Sequence, residues 1–151
     1  MIYLDNNATT SVAPEVLESM LPWLGERYGN PSGGYRFGRQ ARAAIDRSKQ
    51  QVASLIGAHP EEIIFTSCGT ESNNTALRSS LAIRPQRKAI LTSTVEHSAV
   101  DEVVKFLGES RHEGRFVSVD SEGQLDIDAW KESLADDQVA IASLILSLIH
   151  I

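Results

Sequence analysis

The stretch Phe65-Thr66-Ser67-Cys68-Gly69-Thr70-Glu71-Ser72-Asn73-Asn74 decides how this chain is interpreted. A β-branched run over residues 63–66 predicts a short strand, which ends at a turn rich in hydroxyl groups and glycine before a helical pattern begins. The first N–H groups of a helix have no partner within it, and the helix dipole adds positive charge there. We therefore expect an anion site that suits a phosphate. The stretch alone leaves open an alternative, in which Ser67 or Thr70 only caps the helix.

The overall composition is that of one soluble globular domain, with 151 residues of which 42% are hydrophobic and 23% charged. The net charge of -6 comes without a basic block, so we expect no nucleic-acid or membrane partner. The first residues lack a signal-peptide pattern, and the apolar run over residues 139–151 is too short to span a bilayer, so a cytoplasmic location is expected. Because Cys68 is the single cysteine, neither a disulfide framework nor a cysteine-based metal site is expected.

Alternating elements predict an α/β fold. We expect a largely parallel sheet with flanking helices, in which ligands bind where the strands end. The predicted helices cover residues 14–24, 35–56, 70–83, 98–107 and 127–134, and the predicted strands cover residues 2–4, 63–66, 89–95, 115–119 and 139–144.

A second strand end carries a histidine. His97 follows the predicted strand over residues 89–95, and Ser98 and Asp101 have the spacing of a capping box for the next helix. Because parallel strands end at one edge of a sheet, His97 is expected near the predicted anion site, where its ring could stack on a ligand or transfer a proton. The alternative is a structural histidine on the surface. Cys68, beside a predicted buried strand, is expected to be inert.

Four segments in this order resemble the amino-terminal part of the cysteine desulfurases, which belong to the class V branch of the fold-type I pyridoxal-phosphate enzymes. They are Tyr3–Thr10, Gly29–Ser32, Phe65–Asn74 and Val95–Val100, within a resemblance that covers residues 2–145. The resemblance implies the amino-terminal part of the large domain of a fold-type I pyridoxal-phosphate-dependent transferase, a mostly parallel sheet with flanking helices that is truncated here.

The resemblance also implies roles for particular residues. Gly69 and Thr70 would hold the phosphate of pyridoxal 5'-phosphate, and His97 would stack on the pyridine ring and take part in proton transfer. Asn7, Ala8 and Thr9 would lie on the substrate side of the pocket.

The family reaction converts L-cysteine to L-alanine and leaves the sulfur as a persulfide on an enzyme cysteine. The sulfur serves the assembly of Fe-S clusters or of other sulfur-containing cofactors. Because the sulfur is passed on, the resemblance implies a sulfur-acceptor or scaffold protein as a partner. It also implies a homodimer in the full-length parent.

The chain departs from the family pattern in two places. Gly33, Gly34 and Tyr35 stand where the family has a second serine and then a histidine. After Ile145 the family continues with Ala-Asn-Asn-Glu-Thr-Gly, whereas this chain ends in residues 146–151, an aberrant tail that is either sequencing-adapter read-through or a natural apolar strand. The Schiff-base lysine and the mobile-loop cysteine have no matching positions, so residues 1–151 alone are expected to be inactive.

The expected organisation is an amino-terminal active-site segment (1–14), amino-terminal helices (15–57), a partial cofactor-binding α/β domain (58–145) and the tail (146–151). Three functional alternatives stay open: a selenocysteine lyase, another aminotransferase of the same class, or a non-catalytic truncated α/β module. A nucleotide-binding domain is disfavoured, because the turn before the helix has neither G-x-G-x-x-G nor a P-loop Gly-Lys-Ser/Thr.

Overall fold

The computed structural model of this protein describes residues 2–6 and 8–145. The chain forms two compact units, residues 1–65 and 66–151. The interpretations of Asn7 and of the tail, residues 146–151, lie outside the described residues.

The first unit is helical. Helix α1 spans Pro14–Leu24 and helix α2 spans Arg36–Ile56, followed by a single 3-10 turn at Pro60–Glu62. Proline suits the first position of α1 because its φ is fixed near the helical value and its missing N–H would be unpaired there. Gly57 ends α2 in the left-handed conformation, with φ of 69°, as a helix-terminating glycine does. Both helices confirm the sequence prediction.

Residues 2–4, which were predicted as a strand, have no regular structure. The prediction was wrong because a strand needs a neighbouring strand for its backbone hydrogen bonds, and the first unit contains none among its described residues.

The loop before α2 packs directly against the first turn of that helix. A Cβ atom at Gly38 would lie 2.5 Å from the carbonyl oxygens of Asn30 and Gly33, which only glycine avoids. The Asn30 side chain accepts a hydrogen bond from the Ser32 N–H at 2.9 Å, and the Asn30 carbonyl accepts one from the Gly33 N–H at 2.9 Å. These contacts fix the Asn-Pro-Ser loop on the helix.

The second unit is an α/β layer structure. Its strands β1 (Ala89–Ser93), β2 (Glu113–Val117) and β3 (Val139–Ala142) form a parallel sheet in the order β2-β1-β3. Its helices are α3 (Gly69–Ile83), α4 (Ser98–Gly108) and α5 (Ile127–Leu134). The central strand β1 is buried along its whole length, as expected of a strand covered on both faces. The predicted α/β class and parallel sheet are confirmed.

Apolar side chains pack on both faces of this sheet. One cluster joins α3 and α4 to the sheet through Leu77, Leu81, Ile90, Val100, Val104, Leu107 and Ala140. The other joins α5 to the opposite face through Ala89, Leu91, Val117, Val139, Leu125, Ala129 and Trp130. Several of these side chains are fully buried, and their removal from water is the main force that holds the helices on the sheet.

Arg115 links strand β2 to the turn before β3. Its guanidinium donates to Glu113 at 2.9 and 3.1 Å and to Asp136 at 2.8 Å. The hydrogen bond from Arg115 is the main reason why the pKa of Glu113 is lowered. The pKa of Asp136 is lowered first by the backbone N–H of Gln138 and then by Arg115. Both carboxylates therefore favour the charged form in the folded chain.

The strand predicted over residues 63–66 is also absent. Ile64 is 74% exposed and Phe65 is 52% exposed, and no described strand runs beside them. The apolar pattern identified a segment that could pair, but the described chain provides no partner. Strands β1 and β3 each end two residues before the predicted limit, and β2 lies two residues earlier than predicted.

Candidate active site

Helix α3 begins without a side-chain cap. Its N-cap residue is Cys68, in extended conformation, and the Cys68 side chain makes no capping hydrogen bond. The Ser67 hydroxyl, one of the two caps considered from the sequence, donates instead to the Glu71 carboxylate at 2.7 Å. A Cβ atom added at Gly69 would meet no atom within 4 Å apart from its chain neighbours and its own helix, so there is open space beside Gly69. Unpaired N–H groups facing open space are the elements of an anion site.

The thiol of Cys68 reports the electrostatics of this helix end. The thiol is exposed, and its pKa is lowered mainly by the nearby backbone N–H of Glu71 and next by the Ser67 hydroxyl, without a capping hydrogen bond. Thr70 contributes through its own N–H and hydroxyl. A lowered thiol pKa means that the start of α3 stabilises negative charge. From the sequence, an inert thiol is expected in a turn beside a buried strand. In the structure that strand is absent and the Cys68 thiol is exposed.

Side chains on the first turn of α3 hold the preceding loop. Thr66 Oγ1 and Ser72 Oγ are 2.6 Å apart, and the Thr66 hydroxyl also donates to the Cys68 carbonyl at 3.1 Å. The Glu71 carboxylate accepts from the Ser67 N–H at 2.6 Å, and hydrogen bonding from the Ser67 hydroxyl is the main cause that lowers its pKa. The loop is thus fixed by its own side chains while the helix end stays open.

His97 is the N-cap of helix α4. Its Nδ1 accepts a hydrogen bond from the Ala99 N–H at 3.0 Å. With Nδ1 as acceptor, the neutral ring carries its proton on Nε2, and the ring is exposed. The predicted Ser98/Asp101 capping box was wrong, because His97 supplies the cap one residue earlier and Asp101 pairs with Lys105 at 2.6 Å.

The starts of α3 and α4 lie at the same edge of the sheet. Helix α4 follows β1 and therefore starts where β1 ends. Near the end of α3, Arg84 and Arg87 donate to the carbonyls of Ala140 and Val139, which belong to the beginning of β3. A helix of 15 residues is about 22 Å long, so its first turn reaches back to the edge where the strands end. Gly69, Thr70 and His97 are thereby brought to one edge of the second unit.

Glu96 is a residue of this edge that the sequence reasoning missed. Its carboxylate accepts from the Ser93 hydroxyl at 3.1 Å and from the Ile145 N–H at 2.7 Å. Glu96 thus ties the end of β1 to the segment that follows β3, immediately before His97. A buried serine three residues before a glutamate at a strand end was the signal for this contact, since buried hydroxyls need partners.

Ala8 and Thr9 belong to the first unit. The Asp5 carbonyl accepts from the Ala8 N–H at 3.2 Å and from the Thr9 N–H at 3.5 Å, and the Asp5 carboxylate accepts from the Ala8 N–H at 3.3 Å. Asp5 therefore stabilises the turn that carries both residues, as aspartates in turns commonly do.

Two further observations bear on the sequence expectations. None of the helices in the described ranges combines the length and the apolar character needed to cross a membrane. Within the same ranges, no three or more histidine, cysteine, aspartate or glutamate side chains are grouped so as to hold a metal ion.

Comparison with known proteins assigns the family. A sequence model of the family "Aminotransferase class-V" matches residues 2–147. The chain is 46% identical to cysteine desulfurase 2 of Trichormus variabilis and 44% identical to the cysteine desulfurase NifS of Azotobacter vinelandii. Each match covers 95% of this chain and 36% of the relative, so the chain spans a little over a third of the length of these curated relatives.

Solved structures agree with this assignment. A NifS-like protein superposes with a TM-score of 0.86 at 36% identity, over 95% of this chain and 39% of the other. A structure described as SspA in complex with cysteine superposes with a TM-score of 0.84 at 29% identity, over 94% of this chain and 41% of the other. Because the family match covers nearly the whole chain and relatives named as cysteine desulfurases cover the same residues, this chain belongs to the class-V aminotransferase family.

Proposed function

We propose that this chain is the amino-terminal part of a pyridoxal-phosphate-dependent cysteine desulfurase, which converts L-cysteine to L-alanine and transfers the sulfur to an enzyme cysteine. One observation carries the proposal. The first turn of α3 is open, lacks a side-chain cap and stabilises negative charge, and it lies at the same sheet edge as His97 in a chain of this family. The relatives named as cysteine desulfurases support the choice of reaction.

The residues at the start of α3 fit the phosphate of pyridoxal 5'-phosphate. A phosphate would accept hydrogen bonds from the N–H groups of Gly69 and Thr70 and from the Thr70 hydroxyl, and the open space at Gly69 allows a close approach of the backbone. When bound, the cofactor supplies the electron-withdrawing ring that the chemistry needs. The Glu71 carboxylate is engaged with Ser67, which keeps the loop in place beside the start of α3, where the phosphate would bind.

His97 provides the second contact. Because Nδ1 is engaged with the Ala99 N–H, the orientation of the ring is fixed relative to α4, and Nε2 of this exposed residue is the atom that can give or take a proton. The same hydrogen bond makes His97 a structural cap of α4. Its predicted role at the cofactor, stacking on the ring and moving a proton, therefore coexists with a role in helix stability.

The other parts of the proposal rest on the family. Asn7, Ala8 and Thr9 are proposed on the substrate side of the pocket. We propose that the lysine that binds the cofactor and the cysteine that receives the sulfur lie in the part of the complete polypeptide that corresponds to the remaining length of the relatives. A homodimer, a cytoplasmic location and a sulfur-acceptor or scaffold protein complete the proposal. The neighbour described as a complex with cysteine supports L-cysteine as the substrate.

The proposal is tested on the complete polypeptide encoded by the gene. We expect alanine and protein-bound persulfide to form from cysteine when pyridoxal phosphate is present. Thr70→Ala is expected to weaken cofactor binding by about 1–2 kcal/mol, because a hydroxyl donor to a charged phosphate is lost. Thr75→Ala, which removes a hydroxyl from an exposed position of the same helix, is the matched control and should leave the affinity unchanged.

Three results would oppose the proposal. Equal cofactor affinities of Thr70→Ala and the unmodified protein would remove the phosphate assignment. Turnover of selenocysteine with no turnover of cysteine would favour the lyase, and a complete polypeptide with neither activity would favour the non-catalytic module.

A further inference from the structure

A cavity of about 560 Å³ lies where the strands of the sheet begin, at the edge opposite to the start of α3. We call it the amino-edge cavity. It lies between the ends of α3 and α4 and the segments that lead into β1 and β2. Its walls include Arg78, Leu81, Lys88, Phe106, Arg111 and His112.

The amino-edge cavity concentrates positive charge in an acidic chain. Arg78, Lys88 and Arg111 line it, and none of the three forms an ion pair with a carboxylate among the described residues. The net charge of the whole chain is -6. Three cations without acidic partners around one concave space raise the local potential and attract an anion.

The same cavity contains a buried polar atom that lacks a partner. Nδ1 of His112 is shielded from solvent and has no hydrogen-bond partner among the described residues. Buried polar atoms in folded proteins are nearly always paired, so His112 leaves one hydrogen bond unmade in the cavity wall. Because this atom is shielded from solvent, the positive charges and the aromatic ring carry the case for a ligand.

The cavity also has an apolar and an aromatic wall. Leu81 and Leu107 are buried beneath it, whereas the ring of Phe106 is 61% exposed. The guanidinium of Arg78 lies 5.5 Å from the centroid of that ring, within the range of a cation–π contact. Aromatic and guanidinium planes of this kind are the surfaces on which nucleic-acid bases stack.

We propose that the amino-edge cavity binds a small organic phosphate with a planar ring, such as a nucleoside diphosphate, at a site separate from the start of α3. Lys88 and Arg111 would neutralise the phosphate groups, and the plane formed by Phe106 and Arg78 would receive the ring. The volume lies within the range of small-molecule sites. A concave space with one aromatic wall suits such a compact ligand better than an extended acidic peptide.

The test uses the complete polypeptide loaded with pyridoxal phosphate and then freed of excess cofactor by gel filtration. The start of α3 is then occupied, and no free pyridoxal phosphate competes with the probe for the amino-edge cavity. Binding of ADP, inorganic pyrophosphate and adenosine is measured by equilibrium dialysis at two salt concentrations. We expect ADP to bind most tightly and its affinity to fall with added salt. Phe106→Ala should weaken ADP binding and leave pyrophosphate binding unchanged.

A charge-matched pair of variants locates the site. The double variant Lys88→Gln, Arg111→Gln should weaken ADP binding by roughly tenfold or more, because two charge-assisted contacts are lost. The double variant Arg47→Gln, Lys131→Gln removes the same charge from exposed positions on α2 and α5 and should bind ADP as the unmodified protein does. If the first double variant does not fold, Lys88→Gln alone replaces it, since Lys88 is exposed.

Three outcomes would overturn the inference. The first is the absence of ADP binding, and the second is an equal loss of ADP binding in the charge-matched control. The third is a poly-glutamate peptide that binds more tightly than ADP and loses its binding in the Lys88→Gln, Arg111→Gln variant. The third result would identify a surface for an acidic protein. None of these three outcomes bears on the proposed desulfurase activity, because that activity is assigned to the start of α3 and His97 at the opposite edge of the sheet.

Discussion

Substitution of His97 by two different residues separates its two roles. Asparagine can accept the Ala99 N–H hydrogen bond through its side-chain oxygen and is among the best N-cap residues, whereas alanine cannot. Neither the asparagine nor the alanine side chain can transfer a proton as an imidazole does. His97→Ala should therefore lose the cap and the proton transfer, and His97→Asn should lose only the proton transfer.

The magnitudes follow from these contacts. Loss of an N-cap lowers the stability of a helix end by about 1 kcal/mol. If the first turn of α4 opens locally, this corresponds to about a fivefold faster exchange of its backbone amides. Loss of a general acid or base lowers turnover by roughly a hundredfold or more. We expect both variants of the complete polypeptide to lose turnover to this extent, and only His97→Ala to show the faster exchange.

The assay combines alanine formation with hydrogen exchange read by mass spectrometry over residues 98–101. Full turnover by His97→Asn would refute the role at the cofactor and leave His97 a cap. Unchanged exchange in His97→Ala would show instead that the Nδ1 hydrogen bond contributes little to α4.

Three more predictions concern stability and the isolated chain. Gly114→Ala should destabilise the second unit by about 1–3 kcal/mol in urea unfolding, because the added Cβ would lie 2.8 Å from Val104 Cγ1, and an unchanged midpoint would contradict this packing. The two carboxylates that bind Arg115 have lowered pKa values, so their contribution to stability is present above their ordinary pKa values, near pH 4, and is lost as the pH falls further through the folded-state values. Arg115→Met should therefore be less stable than the unmodified protein at pH 7 and should lose less stability on acidification, and parallel pH profiles of the two would refute the linkage. Residues 1–151 alone should form no alanine from cysteine and should aggregate through exposed apolar side chains such as Ile64, whereas a monomer with a cooperative thermal transition in size-exclusion and melting experiments would contradict this.

The helices could be predicted from the sequence because their signals are local. The apolar spacing, Pro14 at the start of α1 and Gly57 at the end of α2 each act within a few residues. The strand over residues 63–66 could not be judged in this way, because a strand exists only beside another strand. The parallel sheet itself followed from the alternation of strands with helices that were long enough to cross between them.

The details of the candidate site were less accessible. The hydroxyl-rich turn before α3 pointed to an anion site, but the hydrogen bond from Ala99 to His97 and the contacts of Glu96 depend on side-chain orientation. The scattered cations Arg78, Lys88 and Arg111 gave no basic block in the sequence. They meet because parallel strands and returning helices bring distant segments to one edge.

The most direct test of the central claim is backbone hydrogen exchange at the start of α3 in the complete polypeptide, with and without cofactor. We expect pyridoxal phosphate to slow exchange at Gly69 and Thr70, whose N–H groups would bind the phosphate, and pyridoxal, which lacks the phosphate, to have a much smaller effect. Pyridoxal phosphate that binds without protecting these amides, or pyridoxal that protects them equally, would contradict the account.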